Sequence, residues 1–491
     1  MKLSISKIKI LTLLAIPIVS VFLHWKVLNL DLVSIHVWRQ TQTQNTIQSF
    51  YEEDFNLLNP RRNNRGSSDG ILRMEFPIMQ WIFAGFFKTL GNHLIISRLL
   101  SLLIGFLSIL GIYFLSKEIF KSEIAGLLSA WFFNFSPSFF YHTVNPMPDN
   151  LAMCFAIWGL VFFFLFGKKL SVSNLIWSGI FLSLAALTKL PFILFVSVPF
   201  VYHFLFQKKI NSKNTHFAFF SIYILQLLPL AWYVWVIPTW KGNEVAKGMF
   251  INQESFSDLF AIISGNLIST LPELLLNYAA VPLFLFGIFQ LFKLKIYQKK
   301  LFPVFGILLL GLIAYFLFEM NLIGLIHDYY LFPFLPLLFL MVGFGGFQLW
   351  KSNRQWAKNL VLVAILIAPL TAHLRIASRW NLDDVGFNKD FLTYKNDLQN
   401  AIPDDALCVI GNDVSGHILS YYIHKKGWIF KNDNLTKGIL EHYILDGATY
   451  LYSDSDIVNS SNDILELIDS TISKKGSIHI YKLKSLQNFE K

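Results

Sequence analysis

The segment that follows the first apolar run of the chain is rich in hydrogen-bond donors. Its donor side chains include His36, Arg39, Gln40, Arg61, Arg62 and Arg65. A guanidinium offers paired N–H donors whose geometry matches a phosphate or a carboxylate. Residues 35–65 therefore predict a site for an anionic ligand. The alternative is an interfacial helix, with Trp38 at the headgroups and Arg39 on a lipid phosphate.

Two carboxylates lie beside predicted helix starts. Glu75 comes two positions before Pro77, where it either stabilises the helix dipole or forms a salt bridge with His36 or an arginine. Asp149 opens an apolar run, so it is either a helix N-cap or a general base. Both interpretations of each residue are open from the sequence.

A fourth polar set begins at residue 326 and enters a long apolar segment. His327 and Asp328 precede Tyr329 and Tyr330 directly. Two tyrosines at this place are typical of the aromatic belt of a membrane protein. The adjacent imidazole and carboxylate favour a ligand site instead.

The composition identifies the class of protein. Of the 491 residues, 54% are hydrophobic and 15% are charged, whereas a soluble protein has about 25% charged residues. A polytopic α-helical membrane protein is therefore predicted. The net charge of +10 does not indicate nucleic acid binding, because the Lys and Arg residues form short clusters between apolar segments. Two cysteines, Cys154 and Cys408, provide neither a disulfide framework nor a cysteine-based metal site.

About eleven apolar segments are long enough to cross a hydrocarbon core of about 30 Å. They cover residues 10–28, 94–115, 122–140, 150–166, 174–188, 190–206, 216–237, 276–292, 301–318, 330–350 and 359–377. No cleavage site follows the first, so we expect an uncleaved helix. With a cytoplasmic N-terminus, every inner loop is basic, as the positive-inside rule requires. The inner clusters include Lys2, Lys7, Lys9, Lys117, Lys121, Lys168, Lys169, Lys208, Lys209, Lys213, Lys293, Lys295, Lys299, Lys300, Lys351, Arg354 and Lys358.

The opposite side receives the polar segments. They are the loop 29–93, the turn 141–150, the turn at Lys189, the loops 238–275 and 319–329, and the region after residue 378. Residues 378–491 alternate short apolar runs with helix-like stretches, which predicts a small α/β domain with a partly parallel sheet. We therefore expect a membrane domain over residues 1–377, with the outer loop 29–93, and an accessory domain over residues 378–491.

The order of a WRQTQT loop, an EFP segment, an MPD turn and an HDYYLFPFLP segment resembles a known family. It is similar to the family 39 type glycosyltransferases of the GT-C superfamily, the PMT-like and ArnT-like membrane enzymes. The resemblance covers residues 10–350. It implies a cavity on the periplasmic side that binds a polyprenyl-phosphate sugar, and an acidic first-loop residue that assists transfer. This chain reads SIHVW in the aligned region, with Asp31 five residues before His36.

The chemistry of such a transfer sets the residue types that the site needs. A sugar on polyprenyl phosphate leaves as a stable anion, so the enzyme needs cationic or N–H donors around the phosphate. The candidates for substrate binding are Arg39, Gln40, Arg61, Arg62, Lys189, His327, Tyr329 and Tyr330. The acceptor must lose a proton to a carboxylate or a neutral imidazole, and one displacement inverts the anomeric centre.

The candidates for the base are His36, Asp149, Glu75 and Asp31. The unperturbed pKa of histidine, about 6.5, suits proton acceptance at neutral pH. A nearby arginine lowers that pKa and keeps the imidazole neutral. We therefore expect His36 to act with one carboxylate, and rank Asp149 and Glu75 above Asp31. No metal site is predicted, and the sequence neither requires nor excludes a divalent metal.

These features predict an inverting membrane glycosyltransferase in the bacterial inner membrane, with the C-terminal domain periplasmic or extracellular. Its partners would be a polyprenyl-phosphate sugar donor, the bilayer and a glycan, lipid or protein acceptor. The alternative is a polytopic transporter or lipid flippase, in which ionisable residues are expected near the membrane midplane. The sequence also predicts that His327, Tyr329 and Tyr330 line the same cavity as His36.

The topology gives a first testable prediction. Because the basic clusters fall on one side and the polar segments on the other, the region after residue 378 should be outside the cytoplasm. Alkaline phosphatase fused after Lys491 should be active, and a green fluorescent protein fused there should not be fluorescent. The reverse pair of results would contradict both the orientation and an outer-face site.

Overall fold

The computed structural model describes residues 5–169, 171–206, 213–240, 248, 255–299, 301–324 and 327–486. Some residues that the sequence interpretation used lie outside these ranges. They are Lys2, Lys208, Lys209, Lys300 and part of the loop 238–275.

The described residues are mostly helical. The α-helices are α1 (Ile5–His24), α2 (Val37–Glu52), α3 (Ile78–Leu90), α4 (Leu94–Phe120), α5 (Glu123–Asn134), α6 (Pro137–His142), α7 (Pro148–Lys169), α8 (Val172–Thr188), α9 (Ser197–Phe206), α10 (Lys213–Leu225), α11 (Leu227–Val236), α12 (Phe256–Gly265), α13 (Val281–Lys293), α14 (Phe302–Ile323), α15 (Leu335–Lys351), α16 (Gln355–Ile376), α17 (Asp390–Thr393), α18 (Lys395–Asn400), α19 (Ile418–Ile423), α20 (Lys437–Leu445), α21 (Asp456–Ser460) and α22 (Asn462–Leu465). Tighter 3-10 turns cover Leu190–Val196, Ile237–Thr239, Ile296–Gln298, Asp328–Phe334 and Ala377–Trp380, and a wider π-helical turn covers Asn266–Leu275.

The chain divides into two compact units. Unit 1 comprises Met1–Asn29, Met74–Met79 and Ser97–Ser378, and unit 2 comprises Leu30–Arg73, Gln80–Ile96 and Arg379–Lys491. The expected boundary near residue 378 is also a boundary between the units. The outer loop 29–93, which we grouped with the membrane domain, lies mostly in unit 2.

The protein is a multi-pass membrane protein. Seven helices among the described residues have the length and apolar composition of a membrane span: Leu94–Phe120, Pro148–Gly167, Lys213–Thr239, Ser257–Leu275, Phe302–Ile323, Asp328–Lys351 and Gln355–Trp380. Shorter apolar helices cover Lys9–His24, Val172–Thr188, Leu190–Phe206 and Val281–Lys293. The polytopic helical fold that the sequence predicts is therefore confirmed.

Two segments differ from the expected spans. The expected span 122–140 is two short helices, because α5 ends at Asn134 and Pro137 begins α6. Proline has no N–H and is tolerated only in the first turn of a helix. The expected loop 238–275 contains the apolar helix Ser257–Leu275, whose mean hydropathy of 1.2 is the lowest of the seven.

Close helix packing in unit 1 fixes the position of α15. A Cβ at Gly345 would collide with the carbonyl oxygen of Leu283 on α13, and one at Gly343 would collide with the Ser129 hydroxyl on α5. Small residues let helix backbones approach closely where lipid provides no hydrophobic driving force. The two glycines therefore hold α15 against α5 and α13, and with it the turn Asp328–Phe334 that precedes it.

Unit 2 contains a five-stranded sheet in the order β2-β1-β3-β5-β4. Its strands are β1 (Leu407–Gly411), β2 (Lys426–Ile429), β3 (Tyr450–Ser453), β4 (Ile468–Lys475) and β5 (Ile478–Leu483). β1 pairs in parallel with β2 and β3, and β5 pairs antiparallel with β3 and β4. The predicted small α/β domain with a partly parallel sheet is confirmed. β4 was not predicted, because this edge strand is mostly polar and half-exposed.

Part of the first outer loop lies along the free edge of β2. The Gly427 N–H donates to the Asn63 carbonyl over 3.1 Å, and the N–H groups of Arg65 and Gly66 donate to the Gly427 carbonyl over 2.9 and 2.8 Å. These bonds occupy backbone groups that an edge strand otherwise leaves open. Helix α2 is tied to the sheet unit as well, since the Asn45 amide donates to the His417 carbonyl over 3.4 Å.

Candidate active site

Asp149 is the most buried of the candidate bases in unit 1. It lies in the first turn of α7, which begins at Pro148, so it is not the N-cap residue that one sequence interpretation proposed. Its side chain is 1% exposed, and one carboxylate oxygen lies 3.4 Å from the Lys189 ammonium. Within the described residues, the other oxygen accepts no hydrogen bond. That oxygen is available to accept a proton.

Lys189 lies at a break between two helices of unit 1. α8 ends at Thr188, and Lys189 has an extended backbone before the 3-10 turn Leu190–Val196. Its ammonium lies 5.1 Å from the ring centroid of Tyr330 and 5.9 Å from that of Tyr329. An ammonium at this distance is attracted to the face of an aromatic ring. The structure therefore brings together Lys189, Asp149 and the two tyrosines, all of which the sequence singled out.

The turn Asp328–Phe334 positions the tyrosines. The Tyr315 hydroxyl of α14 donates to the Tyr330 carbonyl over 3.1 Å, which holds this short turn in place. Asp328 is buried, and its carboxylate lies 3.1 Å from Nε2 of the buried His142. An imidazole and a carboxylate are both metal ligands. His142 was not among the residues that sequence reasoning selected.

A second missed residue is Glu319 in α14. Its side chain is 6% exposed, and the charge of Lys189 acts on its carboxylate. Among the described residues, one of its oxygens accepts no hydrogen bond. The sequence interpretation placed Glu319 at the start of an outer loop, where a carboxylate is unremarkable. An ionisable residue inside an apolar span is the signal that identifies it as a candidate for function.

Glu75 lies in a short segment of unit 1 that is anchored on both sides. The Trp232 indole donates to the Met74 carbonyl over 3.0 Å, and the Phe76 N–H donates to the Leu187 carbonyl over 3.1 Å. Leu187 comes two residues before Lys189. The half-buried Glu75 is therefore attached to the segment that carries Lys189.

The other candidates lie in unit 2, where His36 and Arg39 begin α2. His36 is the N-cap residue and has a left-handed backbone with φ of 58°. A non-glycine residue in this region is strained, and such residues cluster at functional sites. The buried Arg39 donates to the Gln42 side chain over 2.6 Å, and the buried Gln40 donates to the Ile35 carbonyl over 3.0 Å.

The Asp31 carboxylate is bound by several neighbouring groups of unit 2. One carboxylate oxygen lies 2.5 Å from the Lys395 ammonium, and the other accepts a hydrogen bond from the Tyr421 hydroxyl over 3.0 Å. The Leu32 N–H donates to the same oxygen as Tyr421. Both oxygens are thus engaged with neighbouring groups, which is a poor arrangement for a base.

The arginines at 61–65 have different environments. Glu53 pairs with Arg65 at 2.8 Å, with Lys426 at 3.1 Å and with Arg61 at 3.4 Å. Burial raises the pKa of Glu53, but the hydrogen bond from Arg65 and the charge of Lys426 outweigh it and lower that pKa. Arg61 and Arg65 therefore stabilise the loop through Glu53, whereas Arg62 does not take part in this cluster.

The site residues of the sequence interpretation thus belong to two groups. Unit 1 contains Asp149, Lys189, Glu75, His327, Tyr329 and Tyr330, and unit 2 contains Asp31, His36, Arg39, Gln40, Arg61 and Arg62. The prediction that His36 and His327 line one cavity stays a prediction.

Known proteins are similar to this chain in sequence profile and in fold. The sequence profile of the dolichyl-phosphate-mannose-protein mannosyltransferase family matches residues 75–235. ArnT from Cupriavidus metallidurans in the apo state has a TM-score of 0.66 at 14% identity, with 98% of each chain covered. ArnT bound to undecaprenyl phosphate has a TM-score of 0.63 at 12% identity, with 97% of each chain covered.

The chain has the GT-C glycosyltransferase fold. The shared fold and the match to the mannosyltransferase profile confirm the resemblance seen in the sequence. The Archaeoglobus fulgidus oligosaccharyltransferase, solved in complex with Zn and sulfate, is also similar, with a TM-score of 0.58 at 15% identity. That match covers 90% of this chain and 68% of the oligosaccharyltransferase. No curated protein sequence matches this chain.

The environment of Asp31 gives a second testable prediction. Asp31→Asn removes the charge that pairs with Lys395, so the free energy of unfolding should fall by about 1 kcal/mol. The thermal unfolding midpoint of the purified protein should fall accordingly. The exposed Asp405 offers a matched control, and Asp405→Asn should leave the midpoint unchanged. Equal midpoints for Asp31→Asn and wild type would contradict a structural role for Asp31.

Proposed function

We propose that this protein is a membrane glycosyltransferase that transfers a sugar from a polyprenyl-phosphate donor to an acceptor hydroxyl or amine. The observation that carries this proposal is the ion pair of the half-buried Lys189 and the buried Asp149 beside Tyr329 and Tyr330. The pair combines a cation for a leaving phosphate with a carboxylate that can accept a proton. The similarity to an ArnT crystallised with undecaprenyl phosphate supports a lipid-linked donor.

Lys189 is assigned to the phosphate of the donor. As the bond between the anomeric carbon and the phosphate oxygen breaks, its electron pair passes to the phosphate, and the negative charge there increases. A cation fixed beforehand in a water-poor site stabilises this charge most in the transition state. The faces of Tyr329 and Tyr330 hold the ammonium in position while no phosphate is bound.

Asp149 is assigned to the acceptor. As the acceptor oxygen or nitrogen forms its bond to the anomeric carbon, it transfers a proton to the free carboxylate oxygen of Asp149. A carboxylate can serve in this way if it lies within hydrogen-bond reach of the proton. The single displacement inverts the anomeric centre. His36 and Glu75 stay the alternative bases, and Asp31 ranks last because Lys395 and Tyr421 engage its carboxylate.

The position in the cell follows from the same proposal. A polyprenyl-phosphate donor and basic inner loops are consistent with the bacterial inner membrane and with chemistry on its periplasmic side. The acceptor is then a glycan, a lipid or a protein of the cell envelope. A transporter is not favoured, because the chain has the fold of transferases.

Substitution of the candidate bases gives a third testable prediction. Asp149→Asn keeps the shape of the side chain but removes its basicity, so transfer should fall by about 10²-fold to 10⁴-fold. Transfer would be measured with purified protein, radiolabelled polyprenyl-phosphate sugars and membrane extract. His36→Ala, Glu75→Gln and Asp31→Asn would be assayed in parallel, with Asp405→Asn as the control. Full activity of Asp149→Asn would contradict its role as the base.

Substitution of Lys189 gives a fourth testable prediction. Lys189→Gln should lower kcat, because the cation acts mainly on charge that develops in the transition state. Lys189→Arg should restore part of the activity, since it restores the charge. The exposed Lys293 in α13 provides a control, and Lys293→Gln should behave like wild type. An unchanged kcat for Lys189→Gln would contradict the assignment of Lys189 to the leaving phosphate.

A further inference from the structure

The three arginines at 61–65 differ in how their charge is compensated. Arg61 and Arg65 pair with Glu53. Within the part of the chain that the structure describes, the partly buried Arg62 guanidinium makes no ion pair and no side-chain hydrogen bond. Burial lowers the pKa of Arg62, and no carboxylate counteracts it. A guanidinium that is removed from water without a partner is poised to bind an anion.

His417 of unit 2 lies in the electrostatic field of Arg62 and of two other cations. The charges of Arg62, Arg39 and Lys431 all act on the ring of His417. Burial foremost, and then these cations, lower the pKa of His417 to about 3. The imidazole is therefore neutral at pH 7 and offers one N–H donor. Three cations thus act electrostatically on a neutral donor.

The backbone of unit 2 brings Lys431 close to the turn that precedes His417. Lys431 follows β2, and His417 follows the turn after β1, so both lie at the carboxyl ends of parallel strands. A Cβ at Gly416 would lie 3.7 Å from the Lys431 ammonium and 3.2 Å from the Asn64 amide nitrogen. Gly416 has a φ of +73°, which favours glycine, so the turn brings its backbone close to both side chains. Ligands of open α/β sheets commonly bind at this edge.

The nearest carboxylate of the turn does not neutralise the cations by direct pairing. Asp413 accepts hydrogen bonds from the N–H and hydroxyl of Ser415 and from the N–H groups of Gly416 and Leu419. Both of its oxygens are thus committed to the backbone around α19. Among the described residues, the exposed Lys431 forms no ion pair.

We propose that Arg62, Lys431, Arg39 and His417 form a binding site for a phosphate group of the acceptor. This inference rests on the proposed function and adds a feature of the acceptor to it. The donor phosphate is carried on an isoprenoid chain, and its assigned cation is Lys189 in unit 1. The four residues here lie in α2, in the loop on β2 and in the sheet region, and no described helix over 381–486 is a candidate membrane span. A group on the water-soluble part of a substrate fits such a site.

Binding of inorganic phosphate tests the site directly, because it does not depend on catalysis. The full chain in detergent would be titrated with phosphate by isothermal calorimetry, as wild type and as Arg62→Gln/Lys431→Gln. The double variant should bind at least about 10-fold more weakly, since two of three cations are lost. The control is Lys474→Gln, which removes an exposed cation of the same unit and should bind like wild type. If the double variant does not fold, Lys431→Gln alone serves, because this side chain is exposed.

Binding of undecaprenyl phosphate in lipid nanodiscs distinguishes the acceptor from the donor. The double variant should retain wild-type affinity for undecaprenyl phosphate, while Lys189→Gln should lose it. Loss of undecaprenyl phosphate binding in the double variant would assign the four residues to the donor and overturn the proposal. No phosphate binding by wild type, or equal binding by the double variant, would also overturn it. A wild type that binds phosphate but transfers no sugar would contradict the proposed function and leave the anion site standing.

Discussion

A helix in a bilayer must satisfy its own backbone hydrogen bonds, so every break in a span requires partners from elsewhere in the protein. In unit 1 the carbonyl of Leu187, just before one such break, accepts from the Phe76 N–H and from the Tyr233 hydroxyl. The carbonyl of Tyr330 accepts from the Tyr315 hydroxyl at a second break. These bonds fix two short irregular turns. The same bonds therefore help to hold Lys189 and the tyrosines in place.

The low dielectric constant of the bilayer makes it energetically unfavourable to bury charged groups near these breaks. Removing an ion pair from water costs more than its attraction returns unless the geometry is good, so a pair such as Lys189 and Asp149 adds little to stability. The position of this ion pair is better explained by a role in function than by a role in stability. Glu319 strengthens this view, since a second buried carboxylate in the field of Lys189 increases the cost without adding a close pair. A surplus of buried carboxylate around a single lysine is an arrangement suited to exchanging protons.

Local sequence patterns predicted the fold class and most of the residues of unit 1 that the candidate site contains. Apolar runs identify spans, and motifs at their ends identified Asp149, Lys189, Tyr329 and Tyr330. The sequence patterns failed where tertiary contacts determine the end of a helix or the role of a side chain. The segment 122–140 is uniformly apolar and is nevertheless broken at Pro137, and His142 acquires its meaning only when Asp328 is folded against it. Glu319 was assigned to a loop because the end of α14 cannot be located from hydropathy to within one turn.

The charge pattern of unit 2 shows why sequence proximity cannot assign roles to arginines. Glu53 pairs with Arg61, Arg65 and Lys426, the last of which reaches it from a strand more than 350 positions away, and Asp54 also pairs with Arg61. Arg62 follows Arg61 directly, yet among the described residues its guanidinium forms no ion pair. One carboxylate cannot balance every cation around it. The excess positive charge of the composition is therefore not confined to the predicted inner loops, since among the described residues Arg62 and Lys431 of unit 2 form no ion pair.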